Sequence, residues 1–270
     1  MKRIMKSLGT VPMMMFLLTG NCGRGGSDGN TQQQTGSATE ALDSAEVVQS
    51  EGAVFVAGTD SLSVQLSGEQ AAVSAAASAK TAWQPSGCVT ASASGATVTY
   101  TLNDCTGPFG LVHVTGTVVV QYSLAADGIH AHATANGLMV NGASIDIDAL
   151  AVFSMNNGTK RLAVTTTGAG TGPFGNAITR SGNYVVTRTA ATSCFGLDGS
   201  WATTVADHQW STRVTALSKC GAQCPAAGGS ISHHGGLSNV TITVDFDGSA
   251  TADWSTSNGY SGTINLLCQP

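Results

Sequence analysis

The residues able to do chemistry are six histidines, seven cysteines and two Asp-x-Asp pairs in a chain of 270 residues. His130 and His132 stand two apart, so on a strand their imidazoles share a face and could hold a metal ion. His233 and His234 would supply two further nitrogens, although nothing in the sequence brings the four together. The same spacing equally suits a polar, solvent-facing strand surface. Asp146/Asp148 and Asp245/Asp247 each put two carboxylates on one strand face about 7 Å apart. Glycosidases use comparable separations across a sugar cleft. A calcium loop would need more oxygen ligands than either pair offers, and a solvated sheet face explains both pairs more simply. Trp83, Trp201, Trp210 and Trp254 suit either a carbohydrate platform or a core.

No motif turns these residues into a reaction centre. Gly-x-Ser-x-Gly occurs only at Gly25-Gly26-Ser27-Asp28-Gly29 and Gly-x-Gly-x-x-Gly only at Gly170 to Gly175, neither between a strand and a helix as the hydrolase elbow and the dinucleotide fingerprint require. The chain has no phosphate loop and no His-Glu-x-x-His. Gly259-Tyr260-Ser261-Gly262 is one residue short of the elbow and falls in a hairpin. No catalytic residue is assigned, no cofactor is implied, and the metal reading rests only on His130 and His132.

The cysteines point to an oxidising compartment. Setting Cys22 aside leaves Cys88, Cys105, Cys194, Cys220, Cys224 and Cys268, an even number. In an exported chain these read as three disulfides. Six cysteines allow 15 connectivities. The most local set is Cys88–Cys105, Cys194–Cys220 and Cys224–Cys268. Cys220 and Cys224 have a spacing that zinc sites use, but no second close pair completes one.

Residues 1–22 read as an export signal. Lys2, Arg3 and Lys6 make a positive start, an apolar run follows to Leu18, and the segment is too short to span a bilayer. The arrangement resembles a bacterial lipoprotein signal, which implies lipid attachment at Cys22. Thr19 and Asn21 depart from the pattern, which prefers Leu and a small residue there. Residues 23–37 are rich in Gly, Ser, Gln and Asn and read as a flexible linker between anchor and domain. Gly23 in place of Asp favours the outer membrane under the sorting rule that the resemblance implies.

The elements that must position these side chains are mostly strands. Residues 38–84 are partly helical in pattern, over 38–48 and 68–83, with Ser67 and Gln70 forming a capping box. From residue 85 to 270 the chain alternates with period two. Val98, Tyr100 and Leu102 share one face; so do Val112, Val114, Val118, Val120, Tyr122 and Leu124. Ile145 to Met155 and Val240 to Phe246 repeat the pattern. One polar face per strand is the antiparallel signature. Asp127-Gly128, Asn136-Gly137, Asn141-Gly142, Asn157-Gly158, Asp198-Gly199, Asp247-Gly248 and Asn258-Gly259 read as tight hairpin turns. The expected fold is all-β: an antiparallel meander of hairpins forming a curled sheet, barrel or sandwich, with a short helical N-terminal region. An outer-membrane barrel fits less well, because aromatics are only 6% and form no girdles.

Thr106-Gly107-Pro108-Phe109-Gly110 recurs as Thr171-Gly172-Pro173-Phe174-Gly175, and each copy precedes a Val-rich strand, which suggests a duplicated hairpin module. With Cys105 before the first copy, the chain resembles uncharacterised bacterial secreted or lipid-anchored β-rich proteins over residues 85–268. The resemblance implies no activity.

Charged residues are only 10% of the chain and the net charge is −5. Losing Lys2, Arg3 and Lys6 with the leader takes it to −8, and no basic stripe remains for nucleic acid. The functional expectation is a non-enzymatic cell-envelope lipoprotein of structural or adhesive role, whose partner is the membrane through its lipid. An apolar-ligand (lipid) binding module is the alternative, and a secreted hydrolase the second alternative.

Overall fold

The computed structural model describes residues 66–79, 83, 85–106, 113–156, 158–189, 194–220, 223–235, 240–266 and 268. The leader, Cys22, the linker and the helical pattern at 38–48 lie outside them, as does the first copy of the Thr-Gly-Pro-Phe-Gly repeat from residue 107 onward.

One helix, α1 (Gly68–Ser78), precedes the strands. Ser67 caps it as expected: the Gln70 amide donates to Ser67 Oγ, and the Ser67 amide donates to Gln70 Oε1 at 3.0 Å. It stops at Ser78, short of the predicted residue 83. Ala71, Ala72 and Ala75 form its buried face. These small side chains let the helix lie close on the first three strands.

Thirteen strands follow: β1 (Val89–Ser94), β2 (Thr97–Thr106), β3 (His113–Ala125), β4 (Gly128–Val140), β5 (Ala143–Asn156), β6 (Thr159–Thr171), β7 (Ala177–Thr189), β8 (Cys194–Val205), β9 (His208–Cys220), β10 (Ser230–Gly235), β11 (Val240–Phe246), β12 (Thr251–Thr256) and β13 (Ser261–Asn265). All pair antiparallel with their neighbours in the chain, in one sheet ordered β1 to β13. The sheet is open, since β1 and β13 do not pair with each other. The meander expected from the sequence is therefore present, while closure into a barrel and division into a two-sheet sandwich are not.

The inner face of this curled sheet carries one continuous apolar core, running from Val89 in β1 to Ile264 in β13 and including α1 and Trp83. Trp254, Tyr100, Tyr184 and Ile129 are its largest fully buried side chains. Each contributes about 1.5–3 kcal/mol by leaving water. Period two explains the assignment, with two departures at the sheet's rim: Leu124 is 50% exposed and Met155 42% exposed.

Two Asx-Gly pairs read as turns serve elsewhere. Asn136-Gly137 is a bulge inside β4, where the register shifts between Ala135 and Leu138. Asp198-Gly199 lies within β8, opposite a bulge in β9. Asn141-Gly142 does make a tight two-residue turn, with φ of 48° and 83°. A third bulge interrupts β2 between Leu102 and Cys105.

The three bulges share a device. Each contains a left-handed residue: Asp104 at φ 51°, Gly137 at 62° and Ala216 at 50°. Such a residue leaves the ladder, so its amide needs another acceptor. Asp104 N donates to Thr115 Oγ1 at 3.0 Å, Gly137 N to Asp146 Oδ1 at 2.6 Å, and Ala216 N to Asp198 Oδ1 at 2.6 Å. A side chain on a neighbouring strand clips each bulge in place.

Three disulfides join Cys88 to Cys105, Cys194 to Cys220 and Cys224 to Cys268, the most local connectivity. The second ties β8 to β9, and the third ties the β9–β10 connection to the C-terminal segment after β13. Together they are compatible with an exported, non-cytoplasmic protein.

Candidate functional site

The sheet's two faces offer different chemistry. On the outer face a cross-strand row runs through neighbouring strands from Thr165 to Asn183, Ser200, Arg213, Ser232 and Thr243. Apart from Arg213 these side chains are short and polar. A hollow of about 520 Å³ lies over β6–β10, lined also by Thr167, Ser181, Ser211 and His234. Thr165 Oγ1 donates to Asn183 Oδ1 at 2.8 Å. His234 Nδ1 is 2.9 Å from Thr241 Oγ1. Hydroxyls, one amide, one guanidinium and one imidazole make this a hydrogen-bonding surface with no nucleophile–base–acid set in it.

On the inner face the buried polar side chains fall into one row. Thr166 pairs with Gly182, Gly182 with Trp201, Trp201 with Thr212, and Thr212 with His233. Thr166, Thr212 and His233 are all buried, His233 to 6% exposure. Gly182 is required by the close approach of β8: a Cβ there would lie 2.5 Å from Trp201 Cβ and 3.0 Å from Ser200 O. Arg180, two residues along β7 and therefore on the same face, sets its guanidinium carbon 5.4 Å from the centroid of the Trp201 ring.

His233 Nδ1 is 2.8 Å from Thr212 Oγ1, and Nε2 has no partner among the described residues. Burial pushes the imidazole down to about 4, and the neighbouring His234 adds to the effect. His233 is therefore neutral at physiological pH. Arg180 Nε and Nη2 are likewise buried without a hydrogen-bond partner among the described residues. Every described Asp and Glu is exposed, so no described carboxylate faces this row. Thr212 and His233 resemble two members of a catalytic set, but no described acid orients the imidazole and both side chains are buried.

The residues singled out from the sequence are placed apart. His130 and His132 do share the outer face of β4, but His130 Nε2 bonds Asp127 at 2.7 Å and His132 Nε2 bonds Asp148 at 3.1 Å. His233 and His234 lie on β10, on opposite faces. Among the described residues no three His, Cys, Asp or Glu side chains come together to hold a metal ion. The Asp146/Asp148 pair shares a face, with Asp146 occupied as a bulge clip and Asp148 by His132. Asp245 and Asp247 are not a strand pair: β11 ends at Phe246, and Asp247 turns to accept the Ser249 amide. Hydrogen bonds from Ser249 hold its carboxyl below the usual range. All four tryptophans are buried, which removes the carbohydrate platform. Cys220 and Cys224 belong to different disulfides, which removes the zinc reading.

Sequence reasoning passed over Arg180 and Thr212. The signal was parity: Arg180 alternates with Ile178 and Tyr184, and Thr212 with Trp210 and Val214. No family model, curated protein or solved structure matches the chain.

Proposed function

We propose that this chain is a non-enzymatic protein of the bacterial cell envelope, exported, held at the outer membrane through lipid on Cys22, with a structural or adhesive role. The outer face of β6–β10 is the surface it presents. The observation that carries the reading is the polar hollow there, whose Thr165, Asn183, Ser200, Arg213 and Ser232 side chains stand in cross-strand register. Adjacent strands are about 4.8 Å apart, so the row offers a regular ladder of donors and acceptors to an extended polar partner. Three disulfides support a role outside the cytoplasm, where the surroundings are oxidising.

The test is retention of the purified, disulfide-intact chain on isolated cell envelopes and on whole cells. The reading expects saturable retention that falls at least tenfold in Asn183→Ala/Arg213→Ala, with thermal stability unchanged. Retention unaffected by both substitutions would refute the assignment of this face.

A further inference from the structure

We propose that the inner face around Arg180 is a binding site for an amphipathic carboxylate, an apolar chain ending in a carboxylate group. The observations are independent of the outer-face hollow. A guanidinium stays charged at any physiological pH. Its Nε and Nη2 form the side-on edge that meets a carboxylate or phosphate with two parallel hydrogen bonds. In Arg180 both of these atoms are buried and neither has a partner among the described residues. A buried donor pair of this kind is costly to leave unmade, and the described acids, all of them exposed, do not serve it. Three strands further along the same face, His233 Nε2 is another buried polar atom with no partner among the described residues, in a residue only 6% exposed.

The surroundings of Arg180 select an apolar body rather than a bare ion. Along the same end of the inner face, Ile145 pairs with Gly170 and Gly170 with Ile178, while Ile147 pairs with Gly168 and Gly168 with Arg180. The three isoleucines are half-buried, and the two glycines between them let the β5 and β6 backbones come close: a Cβ at Gly168 would lie 3.1 Å from Asp146 O, and one at Gly170 would overlap Ser144 O. A strip of half-buried apolar side chains thus leads from the sheet's end to the guanidinium. The Trp201 ring lies 5.4 Å from the guanidinium carbon, a cation–π contact that leaves the Nε and Nη2 donors unmade.

The experiment is calorimetric titration of the purified full chain, disulfides intact, with sodium octanoate, octanol and inorganic phosphate. Octanoate is expected to bind one-to-one and at least tenfold more tightly than octanol, and phosphate is expected not to displace it. Arg180→Gln should reduce octanoate to the level of octanol, and leave octanol itself unchanged. Equal affinity for octanoate and octanol, no octanoate binding, or phosphate binding as tightly as octanoate would each overturn the proposal. The comparison of head groups on the unaltered chain decides the matter even if Arg180→Gln does not fold.

Discussion

His233 makes the stability of this fold depend on pH in a defined window. Its imidazole titrates near 6.5 when the chain is unfolded and near about 4 in the folded state, because burial disfavours the charged form and His234 lies beside it. The sign follows from proton counting. Below 6.5 the unfolded chain takes up a proton that the folded state refuses until about pH 4. The unfolding free energy contributed here is therefore complete above pH 6.5 and is lost as the pH falls to about 4. A gap of roughly 2.5 units at 1.36 kcal/mol per unit corresponds to about 3 kcal/mol, with a slope approaching about 1.4 kcal/mol per pH unit in mid-window. Urea unfolding at pH 7.5, 5.5 and 4.5, for the chain and for His233→Gln, isolates the effect, since the other histidines act equally in both. His233→Gln should be less stable at pH 7.5, having lost the bond to Thr212, yet show a shallower pH dependence. Parallel pH profiles, or an imidazole signal of His233 titrating near 6.5, would refute the reasoning.

Three further outcomes are expected. Asp198→Ala leaves the Ala216 amide without its acceptor and should cost about 1–2 kcal/mol in chemical denaturation, whereas Ala216→Gly relieves a left-handed alanine and should gain about 0.5–1 kcal/mol. The disulfides close separations of 17, 26 and 44 residues, so replacing each pair by serine should cost about 3, 3.5 and 4 kcal/mol in that order by loop closure, with Cys224–Cys268 the largest loss on a melting curve. Asp245 and Asp253 stand directly opposite on the outer face, so Asp253→Thr should stabilise by about 0.2–1 kcal/mol at low salt. The gain should shrink in 1 M salt, where charges a few ångströms apart are screened.

Most of the fold was legible because its code is local. Val98, Tyr100 and Leu102 alternate with threonines, and a strand with one apolar face has only one way to lie on a core. Ser67 and Gln70 announced the helix start for the same reason, since both partners of the capping box lie within four residues. The bulges were not legible. Asn136-Gly137 supplies positive φ, and a hairpin and a bulge ask for the same conformation. What separates them is the partner strand: Asp146, nine residues on, clips Gly137. Asp146 and Asp198 thus read as candidate acids or turn residues but work as acceptors for displaced amides. The inner polar row was half legible. Ser232-His233-His234 follows Ile231, so parity places His233 with the core, yet only the register of five strands brings Thr166, Thr212 and His233 into line. Openness of the sheet has no local signal at all, because it depends on whether two edges far apart along the chain meet.

The central claim, a disulfide-stapled protein held in the envelope through Cys22, is tested most directly by intact-mass spectrometry of the chain extracted from its own envelope without reductant. The account predicts an N-terminus at Cys22 carrying acyl and glyceryl mass, with the other six cysteines oxidised. An unmodified Cys22, or free thiols among the six, would contradict it.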